Sequence, residues 1–434
     1  DLKTISILLL TIYMLTSNLY VALFNSLLLH LAVLFMILFI IIINELTSNN
    51  KYSIKLNDFL FCVISGYILI NAFSQDYSSL GELVRPISLA LVIIMSLLIR
   101  GDIKKYRISF KLIKWVGFLI AISVLISFFV PNLYFLVFLN HLNHHFFTLI
   151  SQSMENGYHT GFSAQAAYAA GYIIQGIGII FCFWLIRAKK LSKIDMLLAL
   201  VMTTGLLLTQ KRAHLFFLIL TLIIVYIMFS SFFLEKVKKV IKILWISIAI
   251  IIIIIMLMFM GVGEVLFSRF LETYQNFVGG NDITSNRLPL WIHAINTFKE
   301  NPLFGIGWGN FSETVIGTVT IETEMETHNV YLQLLSETGI IGTLLILVPI
   351  FYTYKYTLKV TKSISKNRKD YTDNWAFGVL YSLYTQTFFL LYSFTGNSLY
   401  DFSYFTMYFI ALGIIYSFKN YERFRKYSKG DNYG

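Results

Sequence analysis

The sequence predicts an all-α, polytopic integral membrane protein with about twelve transmembrane helices and a large extracytoplasmic loop before the tenth. Its 434 residues are 57% hydrophobic and 13% charged, with a mean hydropathy of +0.71. In a typical soluble domain, charged residues make up roughly a quarter of the chain. Apolar runs recur along the sequence, and each can cross about 30 Å of hydrocarbon as a helix. Residues 1–434 are therefore predicted to form a single membrane domain.

Twelve apolar spans follow one another along the chain. They cover approximately residues 4–18, 23–44, 56–74, 84–99, 112–130, 163–186, 194–208, 213–234, 240–260, 334–354, 374–394 and 402–418. The first lacks a small-residue cleavage site and is soon followed by the second, so it is interpreted as a retained helix. Cys62 and Cys182 both lie within apolar spans and give no indication of redox compartment.

The positions of the cations predict the orientation, because Lys and Arg near span ends are retained on the cytoplasmic side. With both termini inside, 28 of the 34 Lys and Arg residues are cytoplasmic. The six left outside are Arg85, Lys211, Arg212, Arg269, Arg287 and Lys299. The net charge of +11 is therefore interpreted as anchoring to anionic headgroups. Membrane lipids are expected partners, and nucleic acid is not.

Two of the predicted outside loops are long. The first covers residues 131–161, and the second covers residues 261–335. The second is predicted to be catalytic, because it is polar and function concentrates on such loops of a membrane scaffold. In it, Asn286 is expected to cap a helix that ends at Asn301-Pro302. Helical spacing predicts an apolar face made of Leu288, Trp291, Ile292, Ile295 and Phe298.

His328 is the candidate general base. Thr327 is expected to cap the next helix, which then begins at His328. A helix N-terminus disfavours the protonated imidazole, so the neutral form that accepts a proton should dominate near neutral pH. The alternative is a hydrogen-bonded structural histidine.

Three outside cations are candidates for binding phosphate. Arg287 stands at a predicted helix N-terminus, where a positive charge is unfavourable unless an anion binds there. Its alternative is a solvated loop cation. Lys211 and Arg212 occupy the short turn between the seventh and eighth spans, on the side where the charge rule disfavours cations. For these two the alternative is snorkelling to lipid phosphate.

Two clusters could suggest a metal site, and neither is assigned one. His141, His144 and His145 are predicted to share a helical face, and the residues Glu322, Glu324, Glu326 and His328 would share one face of an extended strand. Neither cluster has a second, distant pair of ligands at a recognised spacing. The sequence also contains no P-loop, dinucleotide-binding glycine pattern or nucleophile elbow. No metal and no cofactor are predicted.

The catalytic loop and one short turn carry a resemblance to a known family. Four segments resemble the core motif of the O-antigen ligase and polymerase family. They are Arg287 with Trp291, Asn301-Pro302-Leu303-Phe304-Gly305-Ile306-Gly307, His328-Asn329-Val330-Tyr331 and Glu337-Thr338-Gly339-Ile340-Ile341-Gly342. Thr209-Gln210-Lys211-Arg212-Ala213 is similar to the family's Ser-Arg-Gly-type turn, although Gln210 and Ala213 depart from it.

The resemblance implies a metal-independent, inverting glycosyltransferase of the GT-C type. It would act on the outer face of the bacterial cytoplasmic membrane on an undecaprenyl-pyrophosphate-linked glycan. His328 would then take the acceptor proton, and Arg287 and Arg212 would neutralise the pyrophosphate. Further substrate-binding residues are expected at Lys211, Trp291, Gly305, Gly307, Asn329 and Tyr331. Either Lys211 or Arg212 could contact the phosphate.

A polymerase is the first functional prediction. It would join lipid-linked repeat units, as both donor and acceptor, into O-antigen or capsular polysaccharide, with a chain-length regulator protein as a further partner. The alternative is a ligase that transfers the glycan to a lipid A core or a protein. A lipid-linked oligosaccharide flippase is a weaker alternative, because internal repeats are lacking and the span interiors are almost free of charged residues.

Overall fold

The structure is a computed structural model of the chain. It describes residues 2–24, 26–47, 56–75, 80–187, 191–230, 287–315 and 326–430, with isolated positions between 231 and 286. All regular elements in these residues are helices, as the sequence predicts. The ninth predicted span, 240–260, lies outside the described residues.

The helices have the following bounds. Before residue 230 they are α1 (Leu2–Phe24), α2 (Leu28–Thr47), α3 (Leu56–Phe73), α4 (Leu80–Leu98), α5 (Arg107–Phe129), α6 (Pro131–Val137), α7 (His144–Glu155), α8 (Ala166–Arg187), α9 (Lys193–Leu208) and α10 (Arg212–Met228). After residue 286 they are α11 (Leu288–Glu300), α12 (Phe311–Val315), α13 (Val330–Lys366), α14 (Asp373–Tyr392) and α15 (Phe402–Gly430). Short 3-10 turns cover Ile103–Tyr106, Leu139–His141 and Arg368–Asp370.

Every other predicted span falls on one of these helices. Among the described residues, six helical stretches are long and apolar enough to cross a membrane, and three further apolar helices are shorter. The chain is therefore a multi-pass membrane protein. The two predicted loops are themselves partly helical: 131–161 contains α6 and α7, and 261–335 contains α11, α12 and the start of α13.

The chain divides into two compact units. The first comprises Asp1–Leu112, Arg287–Thr357 and Phe377–Gly434. In it α1 packs on α2 and α15, and α4 packs on α2, α3 and α15. A buried ion pair joins Arg100 Nη2, just after α4, to Asp58 Oδ1 in the first turn of α3 at 2.9 Å. These charges lie at helix ends, which leaves the helix centres apolar.

The second unit comprises Ile113–Asn286 and Leu358–Ala376. Here α8 packs on α9 and α10. Glycines allow backbones to approach closely in membrane helices, and Gly117 on α5 illustrates this, because a Cβ there would lie 2.8 Å from the Tyr172 carbonyl oxygen of α8. A partly exposed ion pair joins Lys114 Nζ to Asp195 Oδ1 at 3.3 Å. The single-domain prediction for residues 1–434 stays a prediction.

Candidate active site

Arg287 stands immediately before α11, at its N-cap position. The predicted cap, Asn286, lies outside the described residues. Pro289 fits the first turn, because proline lacks the N–H that would be unsatisfied there. Arg287 makes no side-chain cap; its Nη1 donates instead to the Thr395 carbonyl oxygen at 2.8 Å. This bond directs the guanidinium towards the turn that follows α14.

The buried face of α11 differs from the predicted one. Leu290 and Ala294 are buried against Phe311 and Val315 of α12, with Leu332 of α13 beside them. In contrast, Leu288, Ile292 and Ile295 are exposed. The helix carries two apolar stripes, and the stripe that contains the small Ala294 is the one packed on α12. Periodicity alone favoured the bulkier stripe.

The glycine-rich turn 301–309 docks on a break in α13. The break is at Gly339, whose φ of 59° and ψ of −169° interrupt the helix. Before the break, the Ser336 carbonyl oxygen accepts from the Ile306 N–H at 3.0 Å, and the Glu337 carbonyl oxygen accepts from the Gly307 N–H at 2.8 Å. Beyond it, the Ile340 N–H donates back to the Pro302 carbonyl at 2.9 Å. Helix ends otherwise leave such groups unsatisfied.

Gly305 and Gly307 are required by this docking. Their φ values are +70° and +103°, a region that disfavours side chains. A Cβ on Gly305 would overlap the Glu337 backbone, and one on Gly307 would overlap the Gln75 side chain. Their N–H groups donate within the chain, to Asn301 and Glu337. The two glycines therefore shape the site's frame, and substrate binding by them stays a prediction.

A buried polar cluster behind the turn was not recognised in the sequence. Glu337 is fully buried, and its carboxylate accepts from Tyr400 Oη at 2.6 Å and Gln333 Nε2 at 3.1 Å. The Gly309 N–H also donates to it. The Trp308 ring stacks on Tyr400 with centroids 4.9 Å apart. Glu337 appeared in the sequence only as part of a motif, and the signal that could have revealed its role is a carboxylate inside an apolar span.

His328 lies two residues before α13, which corrects the predicted helix start. The helix begins at Val330, and Asn329 is its side-chain cap, since Asn329 Oδ1 accepts from the Tyr331 and Leu332 N–H groups at 3.1 and 3.2 Å. Thr327, the predicted cap, instead accepts the Asn329 N–H on its Oγ1 at 3.0 Å. The half-buried His328 has a φ of +52°. The helix-dipole argument for its neutral form therefore does not hold as predicted.

The other predicted residues of the first unit lie around the same segment. Trp291 Nε1 donates to the Thr327 carbonyl at 2.9 Å. Tyr331 Oη donates to the Leu390 carbonyl at 2.8 Å, and its ring contacts Phe394 with centroids 4.7 Å apart. The Val330 N–H donates to the Ser393 carbonyl at 2.9 Å. The turn 393–397 after α14 thus holds the start of α13, and it also accepts Arg287.

Lys211 and Arg212 belong to the second unit. Arg212 begins α10, and Lys211 occupies its N-cap position without a side-chain cap. Lys211 Nζ lies 4.7 Å from the centre of the Tyr158 ring, a cation–π distance. Both residues are half-buried. The turn is tight because Gln210 before them has a φ of +55°.

One backbone feature distinguishes the two predicted catalytic segments. Among the described residues, Gln210 and His328 are the non-glycine residues with positive φ. Such conformations cost of order 1–3 kcal/mol each and cluster at functional sites, where the surroundings fix them. One lies directly before Lys211 and Arg212, and the other is the candidate base itself.

Two histidines outside the spans show what burial does to an imidazole here. Burial lowers the pKa of His293, with nearby Glu300 acting in the opposite direction. Its Nε2 lies 3.0 Å from Thr314 Oγ1. Burial also lowers the pKa of His159, whose Nδ1 lies 3.2 Å from Ser127 Oγ. Both have structural hydrogen-bond partners, which is the ordinary role of a histidine.

The two suggested metal clusters differ from their predicted shapes. His141 ends a 3-10 turn, and α7 begins separately at His144 with Asn143 as its cap, so the three histidines do not share one helix. Glu322 and Glu324 lie outside the described residues. Within the described residues, no three His, Cys, Asp or Glu side chains are grouped so that they could hold a metal.

Glu326, the remaining member of that acidic cluster, has a different setting. Its Oε1 pairs with Arg85 Nη1 of α4 at 2.8 Å. Asn397 Nδ2 donates to its Oε2. Arg85 was recognisable in the sequence as a cation on the side where the charge rule disfavours it, but no sequence pattern linked it to Glu326 or Asn397.

The first unit therefore gathers Arg287, Trp291, His328, Asn329 and Tyr331 around the start of α13 and the turn 393–397. A proton acceptor and a guanidinium in one frame suit the transfer of a group that leaves as an anion. The family model described as O-antigen ligase matches residues 197–347, about a third of the chain. This range contains all the predicted site residues and confirms the predicted family resemblance. A search of curated proteins finds no match.

Proposed function

We propose that this multi-pass membrane protein, whose residues 197–347 match the family model described as O-antigen ligase, is a polysaccharide polymerase of the O-antigen ligase and polymerase family. It joins undecaprenyl-pyrophosphate-linked repeat units on the outer face of the bacterial cytoplasmic membrane, with inversion at the anomeric carbon and without a metal. The observation that carries the proposal is His328, a non-glycine residue with a φ of +52° between anchored neighbours in the matched region.

The transfer follows from the chemistry of these side chains. The acceptor hydroxyl gives its proton to the His328 imidazole, while its oxygen forms a bond to the anomeric carbon of the donor. The bond from that carbon to the phosphate oxygen breaks on the opposite face, and its electron pair leaves with the lipid pyrophosphate. Arg287 stabilises the developing negative charge, and the family resemblance of the turn 209–213 assigns the same role to Arg212 or Lys211. Attack opposite the leaving group inverts the anomeric centre.

The position of Arg287 at the start of α11 supports its role in binding the pyrophosphate. A guanidinium at a helix N-terminus is unfavourable against the helix dipole unless an anion is bound. Its Nη1 donates to the Thr395 carbonyl, which directs the guanidinium towards the turn 393–397. A planar guanidinium suits bidentate recognition of phosphate, for which lysine is a poor substitute.

A ligase is the second candidate, because the matching family model is described as O-antigen ligase. It would use the same donor, base and cations. The two functions differ in the acceptor, which is a second lipid-linked repeat for the polymerase and a lipid A core or protein for the ligase.

The deciding experiment gives the purified protein, in nanodiscs, only an undecaprenyl-pyrophosphate-linked repeat unit. A polymerase can use this lipid as donor and acceptor, so we expect a ladder of products spaced by one repeat. A ligase lacks its acceptor in this assay. A single transferred product that forms only after a lipid A core is added would replace the polymerase with the ligase.

Variants then test the assigned side chains. His328→Ala, Arg287→Ala and Arg212→Ala should abolish the ladder, and Arg287→Lys should restore little of it. His293→Gln is the matched histidine control, and Arg368→Ala is the matched arginine control, because Arg368 pairs with Asp373 and neither belongs to the predicted site. The ladder should survive EDTA. Its loss with EDTA and return with a divalent ion would instead assign a metal-dependent transfer.

A further inference from the structure

Glu326 connects three segments that are distant in the sequence. Arg85 on α4 holds one carboxylate oxygen at 2.8 Å, and Asn397 in the turn 393–397 donates to the other. Glu326 is 25% exposed, so its charge is only partly accessible to water. A carboxylate that accepts from a guanidinium and an amide at the same time is fixed in position by both.

The residues after Glu326 are anchored as well. The Thr327 carbonyl accepts from Trp291, and its buried hydroxyl is bonded to Asn329. Asn329 caps α13, and the Val330 N–H donates to Ser393. His328 therefore lies between fixed neighbours on both sides. Such neighbours are what maintains a left-handed φ at a residue with a side chain.

The same carboxylate is linked to the other side of the site. Asn397 is buried at 5% exposure, and it lies two residues after Thr395, whose carbonyl accepts from Arg287. The donor group of this buried amide, Nδ2, is bonded to Glu326 Oε2, and this bond orients the Asn397 side chain. A movement of Glu326 would therefore be transmitted both to His328 and to the carbonyl that holds Arg287.

We infer that Glu326, held by Arg85 and Asn397, is a positioning residue that sets His328 and Arg287 relative to each other for glycosyl transfer. The inference rests on the proposed function and deepens it, because it adds three residues that take no part in the proton transfer or in the bonds that form and break. Glu326, Arg85 and Asn397 act by holding His328 and Arg287 in position, and none of the three needs to contact the transferred sugar.

A purely stabilising role would have a different signature. The Arg85 side chain is 52% exposed, and exposed ion pairs contribute little to folding stability because water and salt screen them. Misplacement of a catalytic group by about 1 Å, in contrast, can cost about 100-fold in rate. The pair should therefore affect turnover much more than thermal stability.

The test uses the full-length protein in nanodiscs with the lipid-linked repeat unit. Arg85→Ala and Glu326→Gln are measured singly and together, and Lys114→Ala is the matched control, since it removes the partly exposed Lys114–Asp195 pair of the other unit. Kinetics give kcat and KM, and thermal unfolding gives Tm. Amide hydrogen exchange of residues 326–332, without substrate, reports how firmly the segment is held.

We expect each single variant to lower kcat by about 10- to 100-fold with KM changed by no more than about twofold. The double variant should lose no more than the worse single one, because both break one unit. Amide exchange of residues 326–332 should accelerate in these variants. The control Lys114→Ala should change neither kcat nor this exchange rate. A loss of kcat and Tm together, an unchanged kcat, or unchanged exchange with lower kcat would each overturn the positioning role.

The exchange measurement separates this inference from the proposed function. If the wild type gives no product with any acceptor, the function is wrong. Faster exchange of residues 326–332 in Arg85→Ala and Glu326→Gln would still support the mechanical part of the inference, and unchanged exchange would overturn it.

Discussion

Gly305→Ala tests whether the glycine-rich turn is clamped on α13 as the structure indicates. At Gly305 the backbone has a φ of +70°, and a Cβ would overlap the Glu337 backbone. Gly157 has a similar φ of +78°, but nothing lies within 4 Å of its Cβ position. Gly157→Ala is therefore the matched control, because it adds the same backbone strain without the overlap.

The expected loss in the free energy of unfolding of Gly305→Ala has two contributions, the backbone strain and the overlap of the added Cβ. A left-handed backbone costs a residue with a Cβ roughly 1–2 kcal/mol, and this is the expected loss for Gly157→Ala. In Gly305→Ala the neighbouring atoms are backbone, so no rotamer change relieves the overlap and the turn must move away. This breaks the bonds from Ile306 and Gly307 to α13, at about 1 kcal/mol each. The total loss is about 3–4 kcal/mol.

The assay is reversible unfolding in mixed micelles, with the free energy of unfolding obtained from the denaturant dependence. Gly66→Ala provides a second control, since its φ is not positive and nothing lies within 4 Å of its Cβ position. This variant should be neutral or slightly stabilising, because alanine favours a helix. Equal losses for Gly305→Ala and Gly157→Ala would refute the docking of the turn on α13.

Two further predictions concern orientation and pH. In a cysteine-free background, Lys299→Cys should react with a membrane-impermeant thiol reagent in intact cells and Lys366→Cys only after permeabilisation; equal labelling would contradict the twelve-span orientation. Burial lowers the pKa of His293, so the folded protein binds the proton less readily than the unfolded chain, whose value is about 6.5. The stability from this group is complete above pH 6.5 and is lost as the pH falls towards the folded value. The thermal stability of the wild type should therefore decline below pH 6.5 more steeply than that of His293→Gln, and parallel curves would remove His293 as a cause.

Much of the site was predictable from local sequence. Arg287 before a proline-containing first turn, the end of α11 at Asn301 and the nearby glycines are local signals, and all three appear in the structure. The prediction of the helix cap was wrong, and this error also concerns a few neighbouring residues. Asn329 rather than Thr327 caps α13, and such a shift by two residues is decided by which side chain reaches the free N–H groups.

The all-α class and the positions of the described membrane helices follow from the sequence, which also singles out the motif residues, because hydropathy and turn signals act over a few neighbouring residues. Tertiary packing decides which stripe of α11 is buried, why α13 is broken at Gly339 and what holds His328. Glu326 meets Arg85 across 241 positions and Asn397 across 71. No local pattern encodes such pairs, because they form only when the packing of apolar helices brings distant turns together.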